Sequence, residues 1–297
     1  MRITKPSYEI LQQGNGMDGI YEQIERCGRT CYKSESKIER GSARPFVERM
    51  VSSKHLAMCE HGTVYLHASY DPDFIGQSEM VSRYMENPFS KVRNEGSDHY
   101  ITTNYRVIVE NGWFDDLDFL CEPTVFHEKR VTVRFSTQIA VSREANRHRA
   151  DSIAEQSTRY CNYSKDKFGG EVAISLPRWA EEMNGENMGT ADENDLMSLI
   201  GIMQTYRKWK PITKWWFANK VSEMMYLSLV EDDGMKPQDA RAILPLDTHT
   251  ELIHTAFVSD WKHFFDLRSK GTTGKPHPDI EMLATPLYEE FEKLGLL

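Results

Sequence analysis

The chain lacks the features of membrane-spanning and disulfide-stabilised proteins. No part of its 297 residues approaches the ~18 uninterrupted apolar residues that a membrane helix needs. Its start, MRITKPSYEILQQ, has no apolar core of the signal-peptide type. The five cysteines are odd in number and include no C-x-x-C pair, which argues against a disulfide framework. We therefore expect a reduced, cytoplasmic protein that does not contact a membrane.

An excess of positive charge is also missing. Lys and Arg number 36 against 45 Asp and Glu, which gives a net charge of −9. This balance argues against a nonspecific nucleic-acid-binding protein, but it is compatible with a local basic pocket. The length and the 39% hydrophobic content suit one large domain or two small ones with an ample core.

Complete cofactor-loop and metal motifs are absent as well. The run Gly14-Asn15-Gly16-Met17-Asp18-Gly19 matches G-x-G-x-x-G, but the polar residues 33–45 provide no second strand for a dinucleotide-binding unit. A flexible turn is the simpler interpretation, and a nicotinamide-dependent oxidoreductase built on these glycines is kept as an alternative. The histidines, Cys59 and Glu60 between residues 55 and 61 fit no common zinc spacing, so we expect no metal site.

The most unusual stretch is polar and carries Arg147-His148-Arg149, followed after seven residues by Ser157-Thr158-Arg159-Tyr160. A solvated helix face is the simplest interpretation of such a charge run. On a helix, however, Arg147 and Arg149 would point about 200° apart and could not share one face. Guanidinium groups bind phosphates and carboxylates through two parallel hydrogen bonds. The stretch therefore favours a site for an anionic ligand, and a non-enzymatic nucleotide- or RNA-binding module is a second alternative.

This ordered set resembles the signature of flavin-dependent thymidylate synthases. Further blocks resemble the same family: Arg29-Thr30-Cys31-Tyr32, the turn from His55 to His61, the Ala-Arg-x-x-Leu-Pro element around Arg241, and Arg268, 27 residues later. The resemblance covers about residues 20–290, except for an interposed segment at roughly 71–130 that is atypical of the family. It implies a single domain over 1–297 with an α+β fold, in which helices flank a mixed β-sheet.

The resemblance implies reductive methylation of dUMP to dTMP. Methylenetetrahydrofolate would donate the carbon, and FAD reduced by NADPH would carry the hydride. The assembly implied is a homotetramer with active sites between subunits. In such a mechanism the cofactors perform the chemistry, while the protein positions the reactants and tunes the electrostatics.

Site residues follow from the same resemblance. It implies that dUMP is bound by Glu144, Arg147, Glu155, Gln156, Ser157, Thr158, Arg159, Arg241 and Arg268, with Arg268 as the catalytic residue that stabilises negative charge on the uracil ring. It implies that FAD is bound by His55, Ala57, Arg147, His148, Arg149, Glu155, Phe257, Ser259, His263 and His277. The chain departs from the commoner family residues at Cys31, Ala57, Glu144, Phe257 and His263.

Hydrophobic patterns also predict local structure. We expect strands over 8–11, 61–70, 100–109 and 131–135, and helices over 19–32, from 44 onward, over 74–86 and over 136–148. A helical zone is expected over 196–232 with an interruption at Pro211, preceded by a polar surface loop over 183–194.

Overall fold

The structure is a computed structural model that describes residues 1–69, 77–159, 161–165, 169–182 and 205–297. Its strands are β1 Arg2–Thr4, β2 Ser7–Leu11, β3 Thr63–Ser69, β4 Lys91–Glu95, β5 Asp98–Asn104, β6 Arg130–Gln138, β7 Ser152–Glu155, β8 Ala173–Ser175 and β9 His249–Phe257. Its α-helices are α1 Gly16–Cys31, α2 Ala43–Ser52, α3 Gln77–Glu86, α4 Tyr105–Asn111, α5 Ile139–Ala145, α6 Arg178–Glu182, α7 Pro211–Glu231, α8 Pro237–Ala240, α9 Val258–Arg268 and α10 Pro278–Lys293.

A four-stranded sheet in the order β2-β6-β9-β7 lies at the centre. Its neighbouring strands are antiparallel, with Val133 opposite His254 and Ser152 opposite Thr255. A three-stranded sheet, β3-β5-β4, is antiparallel too, whereas β1 and β8 pair in parallel. Helices and sheets thus coexist without regular alternation, which confirms the predicted α+β class.

Both faces of the central sheet are covered by helices. Successive side chains on a strand point to opposite faces, so Leu252 and Ile253 of β9 belong to different cores. Ile253 packs in a cluster with residues of α1, α2, α3 and β3. Leu252 packs in a second cluster with residues of α5, α9 and α10, including Trp261 and Phe264. The predicted flanking of a sheet by helices is confirmed, but the flanked sheet is antiparallel and not mixed as predicted.

The interposed segment at 71–130 contributes strands to the three-stranded sheet. Its β5 pairs with β3 over seven residue pairs, from Thr63 opposite Asn104 to Ser69 opposite Asp98. The strand predicted over 100–109 is therefore wrong in its second half, where α4 begins at Tyr105. The Asn104 side chain caps this helix by accepting a hydrogen bond from Val107 N at 3.2 Å. Gly112, in the left-handed region at φ 70°, ends it.

Two further boundaries differ from the sequence prediction. The strand expected over 131–135 extends to Gln138, because residues 136–138 continue the ladder with Glu251, Thr250 and His249. The helix expected over 136–148 is only α5, since Asn146 already caps its C-terminus. Arg147, His148 and Arg149 consequently lie in the turns that follow α5.

The Gly14–Gly19 run serves a packing role. A Cβ on Gly19 would lie 1.9 Å from the Gly14 carbonyl oxygen, so the loop and the first turn of α1 need a glycine there. The preceding strand, β2, is antiparallel to its neighbour β6, and the described residues 33–42 contain no strand. This topology contradicts a dinucleotide-binding βαβ unit.

Other predicted elements agree with the structure where it describes them. These are β2, α1, α2, β3, α3 and α7. Two predictions lie outside the described residues: the surface loop over 183–194 and the first part, 196–204, of the predicted helical zone. Residues 70–76 and Tyr160 lie outside them as well. In the part of the chain that is described, none of the helices combines the length and apolar character required to cross a bilayer.

Candidate active site

The first part of the sequence signature, Arg147-His148-Arg149, and Arg268 meet in one cavity. Its lining consists of Arg147, His148, Arg149, Ala150, Asp151, Asp260, His263, Leu267 and Arg268. The turns after α5 supply the first five residues, and α9 supplies the other four. The volume is about 140 Å³. Ligand pockets usually measure at least ~300 Å³, so this cavity by itself is too small to enclose a large cofactor.

Arg268 is held by acceptors from a neighbouring element. Its Nη1 donates to Glu144 Oε2 at 2.8 Å, and its Nη2 donates to the Glu144 carbonyl oxygen at 2.9 Å. Its Nε donates to His148 Nε2 at 3.2 Å. The Arg268 side chain is 16% exposed and that of Glu144 is 41% exposed. The guanidinium is therefore partly buried, paired, and fixed in direction.

His148 is a buried, neutral partner in this arrangement. Its ring lies 4.9 Å from that of Phe264 and 5.8 Å from that of His263, between centroids. Burial lowers the pKa of His148 to about 4, and the charge of Arg268 acts in the same direction. Because Nε2 accepts a hydrogen bond, the ring proton belongs on Nδ1.

Arg147 and Arg149 contrast with Arg268. Both are exposed, and within the described residues neither guanidinium forms an ion pair or a side-chain hydrogen bond. Free guanidiniums beside a cavity suit phosphate or pyrophosphate oxygens. The residues present thus fit the pyrophosphate of a dinucleotide cofactor such as FAD.

A second cluster gathers other residues expected to bind dUMP. Arg241 Nη1 donates to Thr158 Oγ1 at 2.7 Å, although 83 residues separate them in sequence. Ser157 N donates to the Cys31 carbonyl oxygen at 2.9 Å, and Ser157 Oγ accepts from Arg159 N at 3.3 Å. The cluster therefore combines hydroxyls with two arginines, which is a suitable set for a phosphate.

Glu155 and Gln156 lie at the end of β7, between the turns that line the cavity and this second cluster. Glu155 accepts from Asn146 Nδ2 at 3.0 Å and from Thr250 Oγ1 at 3.3 Å. Gln156 is buried, and its N–H donates to the Glu251 carbonyl oxygen at 2.8 Å. The Glu155 side chain and the Gln156 backbone are thus both bonded to β9 of the central sheet.

Phe257 and Ser259 contact a residue that the sequence analysis did not indicate. Lys91, from β4 of the interposed segment, lies 4.5 Å above the Phe257 ring and bonds to Ser259 Oγ. It also pairs with Glu128 at 2.9 Å. Burial raises the pKa of Asp260, and the positive charge of Lys91 acts in the opposite direction. No local pattern marks Lys91, because these contacts join it to residues far along the chain.

Three expected FAD residues lie elsewhere in the chain. His55 and Ala57 are exposed, at the start of the 3₁₀ turn Leu56–His61 that packs beside β7. His277 is exposed and caps α10 by accepting from Asp279 N at 3.3 Å. None of the three lines the arginine cavity.

Buried polar side chains are hydrogen-bonded to strand β9 of the central sheet. Asp151 lines the cavity, and its carboxylate accepts a hydrogen bond from His254 Nδ1 at 2.8 Å, with both side chains almost fully buried. On the other sheet face, His61 Nδ1 lies 2.8 Å from Thr255 Oγ1. Burial lowers the pKa of His61 to about 3. Among the described residues, no group of three or more His, Cys, Asp or Glu side chains is arranged to hold a metal ion.

Fold and site together define an α+β protein with an arginine-lined site for anionic ligands. The family model described as "Thymidylate synthase complementing protein" matches residues 92–294. A probable flavin-dependent thymidylate synthase of Paramecium bursaria Chlorella virus 1 is 24% identical over 180 residues, which cover 58% of this chain and 72% of that one. A flavin-dependent thymidylate synthase of Synechocystis is 26% identical over 165 residues, covering 56% and 68%.

Two solved structures also align over most of their length at low similarity. The UMP/dUMP methylase PolB of Streptomyces cacaoi, bound with 5-Br dUMP, has a TM-score of 0.41 and 17% identity, covering 99% of this chain and 93% of that one. Thymidylate synthase X of Helicobacter pylori, with FAD and dUMP, has a TM-score of 0.38 and 13% identity, covering 97% and 96%. The family match extends over most of the chain, and the protein belongs to the thymidylate synthase complementing protein family. It is an enzyme of this family.

Proposed function

We propose that this enzyme methylates dUMP to dTMP with FAD as its bound cofactor. The balanced reaction converts dUMP, methylenetetrahydrofolate, NADPH and a proton into dTMP, tetrahydrofolate and NADP⁺. The observation that carries the proposal is the convergence of Arg147, Arg149 and Arg268 on one cavity in a chain of this family. The alternative based on Gly14–Gly19 loses its basis, because those glycines do not belong to a βαβ unit.

The proposed roles follow the charges and partners of the side chains. Arg147 and Arg149, which are unpaired within the described residues, bind FAD together with His263. When bound, FAD supplies the hydride that completes the methyl group. Arg241 and Arg159, with Thr158 and Ser157, bind the dUMP phosphate.

Arg268 acts on the uracil ring in this proposal. The uracil ring becomes nucleophilic at C5 when negative charge develops on the ring and its oxygens. A partly buried guanidinium fixed in advance favours that charged state over the neutral ring, which lowers the barrier. The C5 proton leaves to solvent or a nearby base after the carbon–carbon bond has formed.

We further propose a homotetramer with sites shared between subunits. The arginine cavity of one chain is too small for FAD, and His55, Ala57 and His277 lie outside it. A neighbouring subunit that contributes such residues would complete the enclosure. Size-exclusion chromatography with light scattering tests the assembly, and a monomer that retains activity contradicts it.

A steady-state experiment tests the proposed function. The purified protein should be yellow, with a flavin spectrum, and should form dTMP from dUMP only when methylenetetrahydrofolate and NADPH are both present. A colourless protein that binds RNA with a steep salt dependence would instead favour the nucleic-acid-binding alternative. A flavin-free protein that oxidises NADPH with another substrate would favour the nicotinamide-dependent alternative.

A further inference from the structure

We propose that His148 and Glu144 are positioning residues for Arg268, and that His148 serves as its hydrogen-bond acceptor rather than as a flavin ligand. This inference rests on the proposed function and adds a division of labour within the Arg-His-Arg triplet. The two arginines bind the cofactor, while the histidine between them orients the arginine that acts on the substrate.

The geometry engages three of the five N–H donors of Arg268. Nε donates to His148 at 3.2 Å, Nη1 to the Glu144 carboxylate at 2.8 Å, and Nη2 to the Glu144 carbonyl oxygen at 2.9 Å. One N–H remains on each terminal nitrogen. The guanidinium is thereby held in one orientation while it keeps two donors for a ligand.

The acceptors come from α5 and the turn that follows it, and α9 holds one of them, His148, in place. Phe264 and Arg268 are four residues apart on α9, so their side chains lie on the same helix face. The His148 ring packs on Phe264, which is fully buried, and this contact places Nε2 beside Arg268. The Glu144 carbonyl lies in the last turn of α5, where it also accepts from Arg147 N at 3.4 Å.

Charge supports the same assignment. His148 is 7% exposed and neutral at physiological pH, so it can accept from Arg268 without placing a second cation beside it. Glu144 supplies one negative charge next to Arg268. By contrast, Arg147 and Arg149 are exposed and have no ion-pair partner in the described part of the chain.

The test compares two substitutions at His148: one keeps the ring and removes the acceptor, and the other removes the ring and keeps an acceptor. His148→Phe keeps the packing on Phe264 and removes the acceptor, whereas His148→Gln restores an acceptor near the position of Nε2. We expect His148→Phe to lower kcat for dTMP formation about ten- to a hundredfold, with smaller changes in FAD occupancy and in flavin reduction by NADPH. His148→Gln should recover most of the loss. Reduced FAD occupancy as the main defect of His148→Phe would assign His148 to the flavin and overturn the inference.

A double-mutant cycle identifies the residue through which His148 acts. In an Arg268→Ala background, His148→Phe should cause little further loss, because the group that it positions is already absent. Additive losses would overturn the inference.

If His148→Phe does not fold, two substitutions at the half-exposed Glu144 replace it. Glu144→Ala removes the carboxylate acceptor and Glu144→Gln keeps an acceptor, and equal turnover in these two variants and the wild type would contradict the positioning role. A wild-type protein without FAD or dTMP formation overturns the proposed function itself, whereas an active wild type with a fully active His148→Phe variant overturns this inference alone.

Discussion

At the residue scale, the proposed site contains two kinds of arginine: Arg147 and Arg149 are unpaired within the described residues, and Arg268 is paired. Arg149 is exposed beside the cavity and unpaired within the described residues, so its removal should cost binding without disturbing the fold. Charge-assisted hydrogen bonds contribute ~1.5–3 kcal/mol, so Arg149→Ala should weaken FAD binding about ten- to a hundredfold. Fluorescence titration of apoprotein with FAD measures this change.

A neighbouring arginine provides the control for that measurement. Arg143 is exposed on α5 and does not line the cavity, so Arg143→Ala should bind FAD like the wild type. Equal FAD affinity in Arg149→Ala and Arg143→Ala would remove Arg149 from the proposed cofactor site.

Cys161 and Ser157 are two side chains close to the signature that could be considered as nucleophiles toward dUMP. Cys161 is fully buried, and Ser157 has no described His-Asp pair to activate it, so neither is expected to attack dUMP. Cys161→Ala should retain most of its activity, and Ser157→Ala should lose activity mainly through a higher KM for dUMP. Mass spectrometry of quenched turnover samples should find no covalent nucleotide on either side chain, and an adduct would contradict the mechanism.

At the scale of elements, the sequence predicted what local patterns encode. The elements β2, β3, α1 and α3 followed from hydrophobic periodicity, the α+β class followed from the family resemblance, and the arginine signature marked the cavity. Strand β9 was not predicted, because its residues 252–257 are all buried between two cores and show no alternation of polar and apolar residues. The contact of Arg268 with Glu144 joins residues 124 apart, so no local pattern could reveal it.

The boundary between β5 and α4 gives a prediction for an element. Asn104 is buried and caps α4, and loss of such a cap typically costs about 1 kcal/mol. Asn104→Ala should lower the free energy of unfolding by about that amount in urea titrations, whereas Asn104→Ser keeps an acceptor and should lose less. Equal destabilisation by both substitutions would show that the side-chain cap is not the cause.

At the scale of the whole molecule, buried histidines connect stability to pH. Burial lowers the pKa of His61 to about 3 and those of His148 and His249 to about 4. In the unfolded chain these groups titrate near ~6.5, so the unfolded state binds protons first as the pH falls. The contribution of these histidines to the free energy of unfolding is therefore complete above about pH 6.5, and it is lost progressively as the pH falls toward their pKa values in the folded state.

Urea unfolding at two pH values measures this linkage. For His61 alone, the loss between about pH 7.5 and about pH 5.5 should be about 1 kcal/mol. His61→Asn should reduce the pH dependence, and the same change at the exposed His55 should not. A pH dependence that is identical in wild type and His61→Asn would contradict the assignment of His61 as a neutral buried group.

We propose that this protein transfers a one-carbon unit to dUMP and reduces it with its bound flavin. The most direct measurement is a single turnover without oxygen: FAD-loaded protein is reduced with NADPH and then mixed with methylenetetrahydrofolate, with or without dUMP. We predict that dUMP accelerates flavin reoxidation, that dTMP appears in step with it, and that Arg268→Ala keeps flavin reduction but loses dTMP formation about a hundredfold. Reoxidation that is indifferent to dUMP, without dTMP, would contradict the claim.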